Sequence, residues 1–171
     1  MKIIIPASGI GKRFADAGYK DVKPLIPVID GKRIIDYVFD CFDINEDEFF
    51  ILSSPTTYEA MDSHLKASGL KYHHIKMDGP KLGPVGAVMY VCEELKENIS
   101  DDDAVIVSYC DYGMEWDYAA FIKYVTEQNV DGSIPCYIGY HPHLENEENV
   151  YAACKKLDDT DQIYVVKEKP K

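Results

Sequence analysis

The stretch Ile3-Ile4-Ile5-Pro6-Ala7-Ser8-Gly9-Ile10-Gly11-Lys12-Arg13-Phe14 reads as a buried strand running directly into a glycine-rich, basic loop. Lys2 to Ile5 is continuous and mostly β-branched, as in a strand covered on both faces. Gly9 and Gly11 permit a tight turn whose backbone N–H groups can face an anion, and Lys12 and Arg13 add fixed positive charge. Together these make a phosphate cradle. Two familiar phosphate motifs fail here by position. A Walker loop would need Gly where Pro6 stands and Ser or Thr where Arg13 stands, and a dinucleotide fingerprint would need a third Gly in place of Phe14.

Composition narrows the class of ligand. The 171 residues are 46% hydrophobic, enough for one substantial core and a single domain over 1–171. Thirty acidic against eighteen basic residues give a formal net charge of −12, which repels nucleic-acid backbones and anionic membranes. The cations nevertheless gather at glycine-containing loops (Lys12, Arg13, Lys23, Lys32, Lys81) and near the C-terminus (Lys167, Lys169, Lys171), which suits a small phosphorylated substrate. Five widely spaced cysteines without a C-x-x-C pair signal neither a disulfide framework nor a zinc site. A reducing cytoplasm is the expected compartment, and no apolar run approaches membrane-spanning length.

Further along, the prolines of Tyr19 to Val28 predict an extended segment and Asp30-Gly31 a turn. Helices are expected over Arg33 to Phe42, from Ser54-Pro55-Thr56 to Gly69, from Val85 to Leu95 with Pro84 in the first turn, and through Tyr118, Phe121, Ile122 and Val125. Strands are expected at Glu48 to Leu52, Leu70 to Met77, Val130 to Tyr140, Val150 to Lys156 and Gln162 to Lys167, with Ala104 to Val107 as a buried strand. This alternation predicts an α/β sandwich with a mainly parallel sheet and antiparallel additions at the end. In such sheets ligands gather outside the carboxyl ends of the strands, and both Gly9 to Arg13 and Asp111 lie just past such ends.

Four stretches then occur in order: Ala7-Ser8-Gly9-Ile10-Gly11-Lys12-Arg13 followed by Lys23-Pro24 and Gly31-Lys32; Gly83-Pro84-Val85-Gly86-Ala87; Asp111 after a buried strand; and Val166-Lys167-Glu168-Lys169-Pro170. In that order they resemble the sugar-nucleotide nucleotidyltransferases, or sugar-1-phosphate pyrophosphorylases. The resemblance implies a three-layer α/β/α sandwich with a mixed, mainly parallel sheet, nucleotide-diphospho-sugar transferase-like and Rossmann-like. It also implies Mg²⁺-dependent transfer of a nucleoside monophosphate from a nucleoside triphosphate to a sugar phosphate or similar metabolite, releasing pyrophosphate, for polysaccharide synthesis. By resemblance Gly9 and Gly11, with Ser8 and Lys12, cradle the triphosphate; Arg13 binds the leaving phosphates; Lys23 neutralises charge at the α-phosphate; Ala7 and Gly83 approach the base. Asp111 holds Mg²⁺, and Glu168 and Lys169 meet the acceptor.

The family normally has Gly or Asn before the strand-ending Asp, where this chain has Cys110, and continues beyond Glu-Lys-Pro, so the chain reads as C-terminally shortened. Plain alternatives stand beside these roles: Asp111 as the N-cap of a helix near Trp116, Lys23 as a surface lysine, His141-Pro142-His143 as a loop. For the whole chain the alternatives are a nucleotide-binding or regulatory domain without turnover and a molybdopterin nucleotidyltransferase-like enzyme. The resemblance leaves a homo-oligomer open.

Overall fold

β1 (Lys2–Ala7) lies inside a wholly parallel four-stranded sheet of order β3-β2-β1-β4, with β2 at Glu48–Ser53, β3 at Tyr72–Lys76 and β4 at Val105–Val107. Residues 1–9, 11–79, 83–128, 130–136, 152–157 and 160–168 are described by this computed structural model. Two compact units divide the chain, Met1–Phe121 and Ile122–Lys171, and each is taken by itself.

In the first unit, β1 and β2 are apolar on both faces because helices cover both. Side chains alternate across a strand. Ile3, Ile5, Ala7, Phe49 and Ile51 therefore pack on one side with Ile35, Val38 and Phe39 of α2 (Ile34–Phe39) and Met61 and Leu65 of α3 (Pro55–Ser68). Ile4, Phe50, Leu52 and Ile75 pack on the other side with Ala87 of α4 (Gly83–Tyr90) and Val91 and Leu95, the latter in α5 (Cys92–Leu95). Each fully buried Ile, Leu or Phe contributes roughly 1.5–3 kcal/mol by leaving water. The sheet is thus the middle layer of an α/β/α arrangement.

Local chemistry sets the boundaries. Ser54 caps α3, its Oγ accepting the Thr57 N–H at 3.4 Å, with Pro55 in the first turn and Gly69 left-handed at φ 74° as the stop. Asp30 (φ 54°) and Gly31 (φ 77°) are both left-handed, and the Lys32 N–H donates to the Ile29 carbonyl at 3.0 Å, so Ile29 to Lys32 is a type I′ hairpin turn. The segment expected to be extended throughout contains a single 3-10 turn, Lys23–Leu25, because Pro24 carries a φ compatible with a helical first turn. The helix expected over Val85 to Leu95 is broken at Val91, where the backbone (φ −103°, ψ 18°) leaves the helical region and starts α5.

β4 differs from its expectation. Ala104 to Val107 reads as a buried strand, yet Val105 and Val107 are 41% and 53% exposed and only Ile106 packs on the core. Among the described residues no strand pairs with the outer side of β4, which places it at the edge of the described sheet. A short apolar run has the same composition at the centre or the edge of a sheet.

Pro6 shapes the end of the sheet that matters most. The Lys2 N–H donates to the Ala104 carbonyl and the Ser108 N–H to the Ile4 carbonyl, so the even residues of β1 face β4. The donor that Pro6 lacks would have pointed the same way, one step beyond the last β1–β4 bond. At that step the two chains part, and the loops after β1 and β4 leave the sheet side by side.

Within the second unit, β5 (Ala152–Lys156) and β6 (Ile163–Glu168) form a separate two-stranded antiparallel sheet with an irregularity between Lys155 and Lys156. The strand expected from Val130 is absent over 130–136, and residues 137–140 and the expected loop 141–149 lie outside the described residues. Among the described residues no helix is long and apolar enough to cross a membrane.

Candidate active site

Gly11 begins the site. It has φ 59° and is the N-cap of the short helix α1 (Lys12–Asp16), and its carbonyl accepts the N–H groups of Phe14 and Ala15 at 2.9 and 3.1 Å. A Cβ built on Gly11 would lie 2.9 Å from Cβ of Lys23. Glycine is therefore required twice over, for its left-handed backbone and for the close approach of the Lys23 segment. Gly9 has open space around it and no such constraint.

Lys23 stands on the 3-10 turn fixed by the buried Pro24. Its ammonium forms an ion pair with Asp111 Oδ2, 88 residues away in sequence, and lies 5.8 Å from the centroid of the Phe14 ring. Phe14 is held edge-on by Tyr19 at 5.6 Å between centroids. Lys23 and Asp111 are 25% and 31% exposed, so the pair is reachable from solvent. Asp111 is not the cap of the following helix: Asp117 takes that role, its Oδ1 accepting the Ala120 N–H at 2.8 Å at the start of α6 (Tyr118–Gln128). Beside Asp111, burial, with the carboxylate's charge adding to it, pushes the Cys110 thiol up to about 11, against the opposing pull of Lys23, so it stays protonated at neutral pH.

The other expected residues are distributed as follows. Ala7 closes β1 with its side chain buried in the core. Ser8 is half-buried and Gly9 exposed beyond it. Lys12 is exposed and pairs with Asp16 at 2.6 Å, while Arg13, next to it, makes no ion pair among the described residues. Gly83 opens α4 at φ 71° with open space around it. It follows the loop after β3, whose carboxyl end lies on the same side of the parallel sheet as those of β1 and β4. Glu168 is the last residue of β6 in the second unit, and Lys169 lies outside the described residues, as does His141-Pro142-His143.

Two contributors are not evident from the sequence pattern. Phe14 counts there only as the residue that breaks the dinucleotide fingerprint, yet its ring lies beneath the Lys23 ammonium. Gly113 sits where an added Cβ would come within 3.4 Å of Tyr37, which lets the chain after Asp111 run against α2. No local spacing announces either contact.

The β1 and β4 loops of this parallel α/β/α sheet converge on a cation–carboxylate pair at the carboxyl ends of the strands, where open α/β sheets place their ligands. The chain belongs to the nucleotidyl transferase family, whose model matches residues 2–171.

Solved structures agree on the fold. A nucleoside-diphosphate-sugar pyrophosphorylase from Vibrio cholerae superposes with a TM-score of 0.73 at 18% identity, over 98% of this chain and 67% of that one. HddC from Yersinia pseudotuberculosis, complexed with GMP-PN, gives 0.60 at 20% identity over 99% and 70%. The inositol-1-phosphate CTP transferase of T. maritima gives 0.52 at 20% identity over 64% and 43%. The chain thus spans between 43% and 70% of the length of these proteins. No curated protein matches the chain.

Proposed function

We propose that the chain serves as a single nucleotidyltransferase domain that transfers a nucleoside monophosphate from a nucleoside triphosphate to a sugar phosphate, releasing pyrophosphate. One observation carries this reading: Gly11, Lys23 and Asp111, from separate parts of the chain, come together where β1 and β4 part. The sugar-phosphate acceptor is supported by proteins of the same fold, the nucleoside-diphosphate-sugar pyrophosphorylase of V. cholerae and the inositol-1-phosphate CTP transferase of T. maritima.

In the proposed reaction an oxygen of the acceptor's phosphate attacks the α-phosphorus. The bond from that phosphorus to the bridging oxygen breaks, and pyrophosphate leaves with the electron pair. The nucleophile is already an anion, so the task is to bring two negative molecules together in line, by positioning and charge compensation. The glycine loop supplies backbone N–H groups for the triphosphate. Arg13, without a carboxylate partner among the described residues, is available to the β- and γ-phosphates. Lys23 is in reach of charge gathering at the α-phosphate. Ala7 and Gly83 are assigned to the base, and Glu168 with Lys169 to the acceptor.

Asp111 fits Mg²⁺. A lone, accessible carboxylate suits an ion that takes one or two protein carboxylates and completes its shell with phosphate oxygens and water. Bound there, the ion would draw charge from the α-phosphate and fix the triphosphate's orientation. Among the described residues no group of three or more His, Cys, Asp or Glu side chains could hold a metal ion by itself, so the triphosphate is expected to contribute ligands. The product, a nucleotide-activated sugar, is the kind of donor that polysaccharide assembly in the cytoplasm consumes.

The test is a pyrophosphate-release screen pairing each nucleoside triphosphate with a panel of sugar phosphates in Mg²⁺. Release dependent on both substrates is expected. Tight nucleotide binding without release under any pairing would instead assign a binding module.

A further inference from the structure

We propose that Lys23 is an exchangeable placeholder for the divalent cation at Asp111. The free protein keeps the carboxylate occupied by its own ammonium, and cation and triphosphate displace that ammonium together. This rests on the reading of Asp111 as the cation-holding carboxylate.

Asp111 Oδ2 already accepts from Lys23 Nζ. A divalent cation on the same oxygen would stand within a few ångströms of the ammonium, in a repulsive like-charge contact. Ammonium and metal therefore exclude one another at Asp111. The exchange is within reach of solvent because the pair is a quarter to a third exposed, and water reaching both partners weakens their hold on one another. It is also directed. The backbone of Lys23 is fixed by the buried Pro24 and by its close approach to Gly11, so only the flexible side chain moves. The Phe14 ring, 5.8 Å from the ammonium, keeps an attractive face beneath it as it leaves.

Two consequences follow. The free protein holds a divalent cation weakly, because each binding event must first remove Lys23. A triphosphate gives the released ammonium new partners, so nucleotide and cation each raise the other's affinity by the same factor, as linkage requires. Lys23 then arrives at the phosphates only once Asp111 has taken the metal.

The experiment measures Mn²⁺ binding by the full chain without nucleotide, from the free-ion electron paramagnetic resonance signal. The wild type is compared with Lys23→Met, Lys23→Gln, Asp111→Asn and, as a variant of equal charge change, Lys20→Met. Circular dichroism melts accompany each, and two Lys23 variants are used so that a failure of one to fold leaves the other. Removing the ammonium should tighten Mn²⁺ by about fivefold, the ratio a surface ion pair supports, while Lys20→Met changes it by much less. Asp111→Asn should weaken it. Unchanged or weaker Mn²⁺ binding in the folded Lys23 variants overturns the proposal, as does an equal gain in Lys20→Met. Nucleotide is absent throughout, so failure here leaves the nucleotidyltransferase reading standing; that reading fails instead on triphosphate binding.

Discussion

Lys23 and Asp111, 88 residues apart, are joined by an ion pair at the point where the loops after β1 and β4 leave the sheet. Pro6 ends the β1–β4 ladder, and Gly11 leaves room for the Lys23 segment. The pair is what local backbone chemistry at those two residues makes possible.

Asp111→Ala should reduce pyrophosphate release by at least about a hundredfold, the scale on which single charge-stabilising groups act. The carboxylate is about one-third exposed, so the melting temperature should change little. A coupled pyrophosphate assay beside a thermal melt separates the two effects. Undiminished release in a folded variant would remove Asp111 from its proposed role.

Gly11→Ala and Gly9→Ala should differ although the residues are neighbours in one loop. At Gly11 the new methyl meets Lys23 at 2.9 Å on a backbone at φ 59°, so a loss of about 1–2 kcal/mol in stability is expected. Triphosphate affinity should fall with it as Lys23 is displaced. At Gly9 nothing lies within 4 Å of an added Cβ, and stability should be nearly unchanged. Urea unfolding of both variants checks this.

Arg13→Ala isolates binding from folding. The guanidinium has no ion-pair partner among the described residues, so its removal should leave the urea midpoint unchanged. Triphosphate affinity should drop about tenfold or more, and monophosphate affinity should change far less, because the proposed contact is with the leaving phosphates. Equal losses for both ligands would contradict that assignment.

Acid should destabilise the fold in two steps that belong to identified residues. Burial pushes the His74 imidazole from 6.5 down to about 4, where it stacks on Tyr58 and bonds Ser53 at 3.0 Å. The unfolded chain therefore binds a proton that the folded chain resists, and stability falls as pH drops from 6.5 towards 4.

Burial alone would raise Glu48, but hydrogen bonds from Lys2, His73 and Lys71 outweigh it and hold the carboxyl at about 2 against its usual 4.5. Its contribution, on the order of 2 kcal/mol, is full above 4.5 and is lost as pH falls towards 2. Denaturant midpoints measured across pH 2–7 should show both slopes. His74→Gln should flatten the upper one and Glu48→Gln the lower.

Much of this architecture is legible from residues alone, for reasons that are local. Ser54 and Gly69 bracket α3 because a hydroxyl cap and a left-handed stop act within one turn, and Asp30-Gly31 makes a hairpin turn because both residues tolerate positive φ. What is not legible depends on distant neighbours. The apolar run 104–107 gives no sign that β4 lies at the edge of the described sheet, and Asp111 reads as a possible helix cap until the folded chain shows Asp117 in that role. Lys23 and Asp111 come to notice through their family resemblance, yet no spacing foretells that they touch. Phe14 is a further case: its ring meets the Lys23 ammonium only in the folded chain, which sequence distance does not encode.

Calorimetric titration with each of the four nucleoside triphosphates in Mg²⁺ decides whether the β1 and β4 loops form the proposed triphosphate site. At least one should bind with a stoichiometry of about one and with an affinity that falls sharply in Asp111→Ala. No binding by any of the four, in protein shown by its melt to be folded, would mean that these loops do not form a triphosphate site.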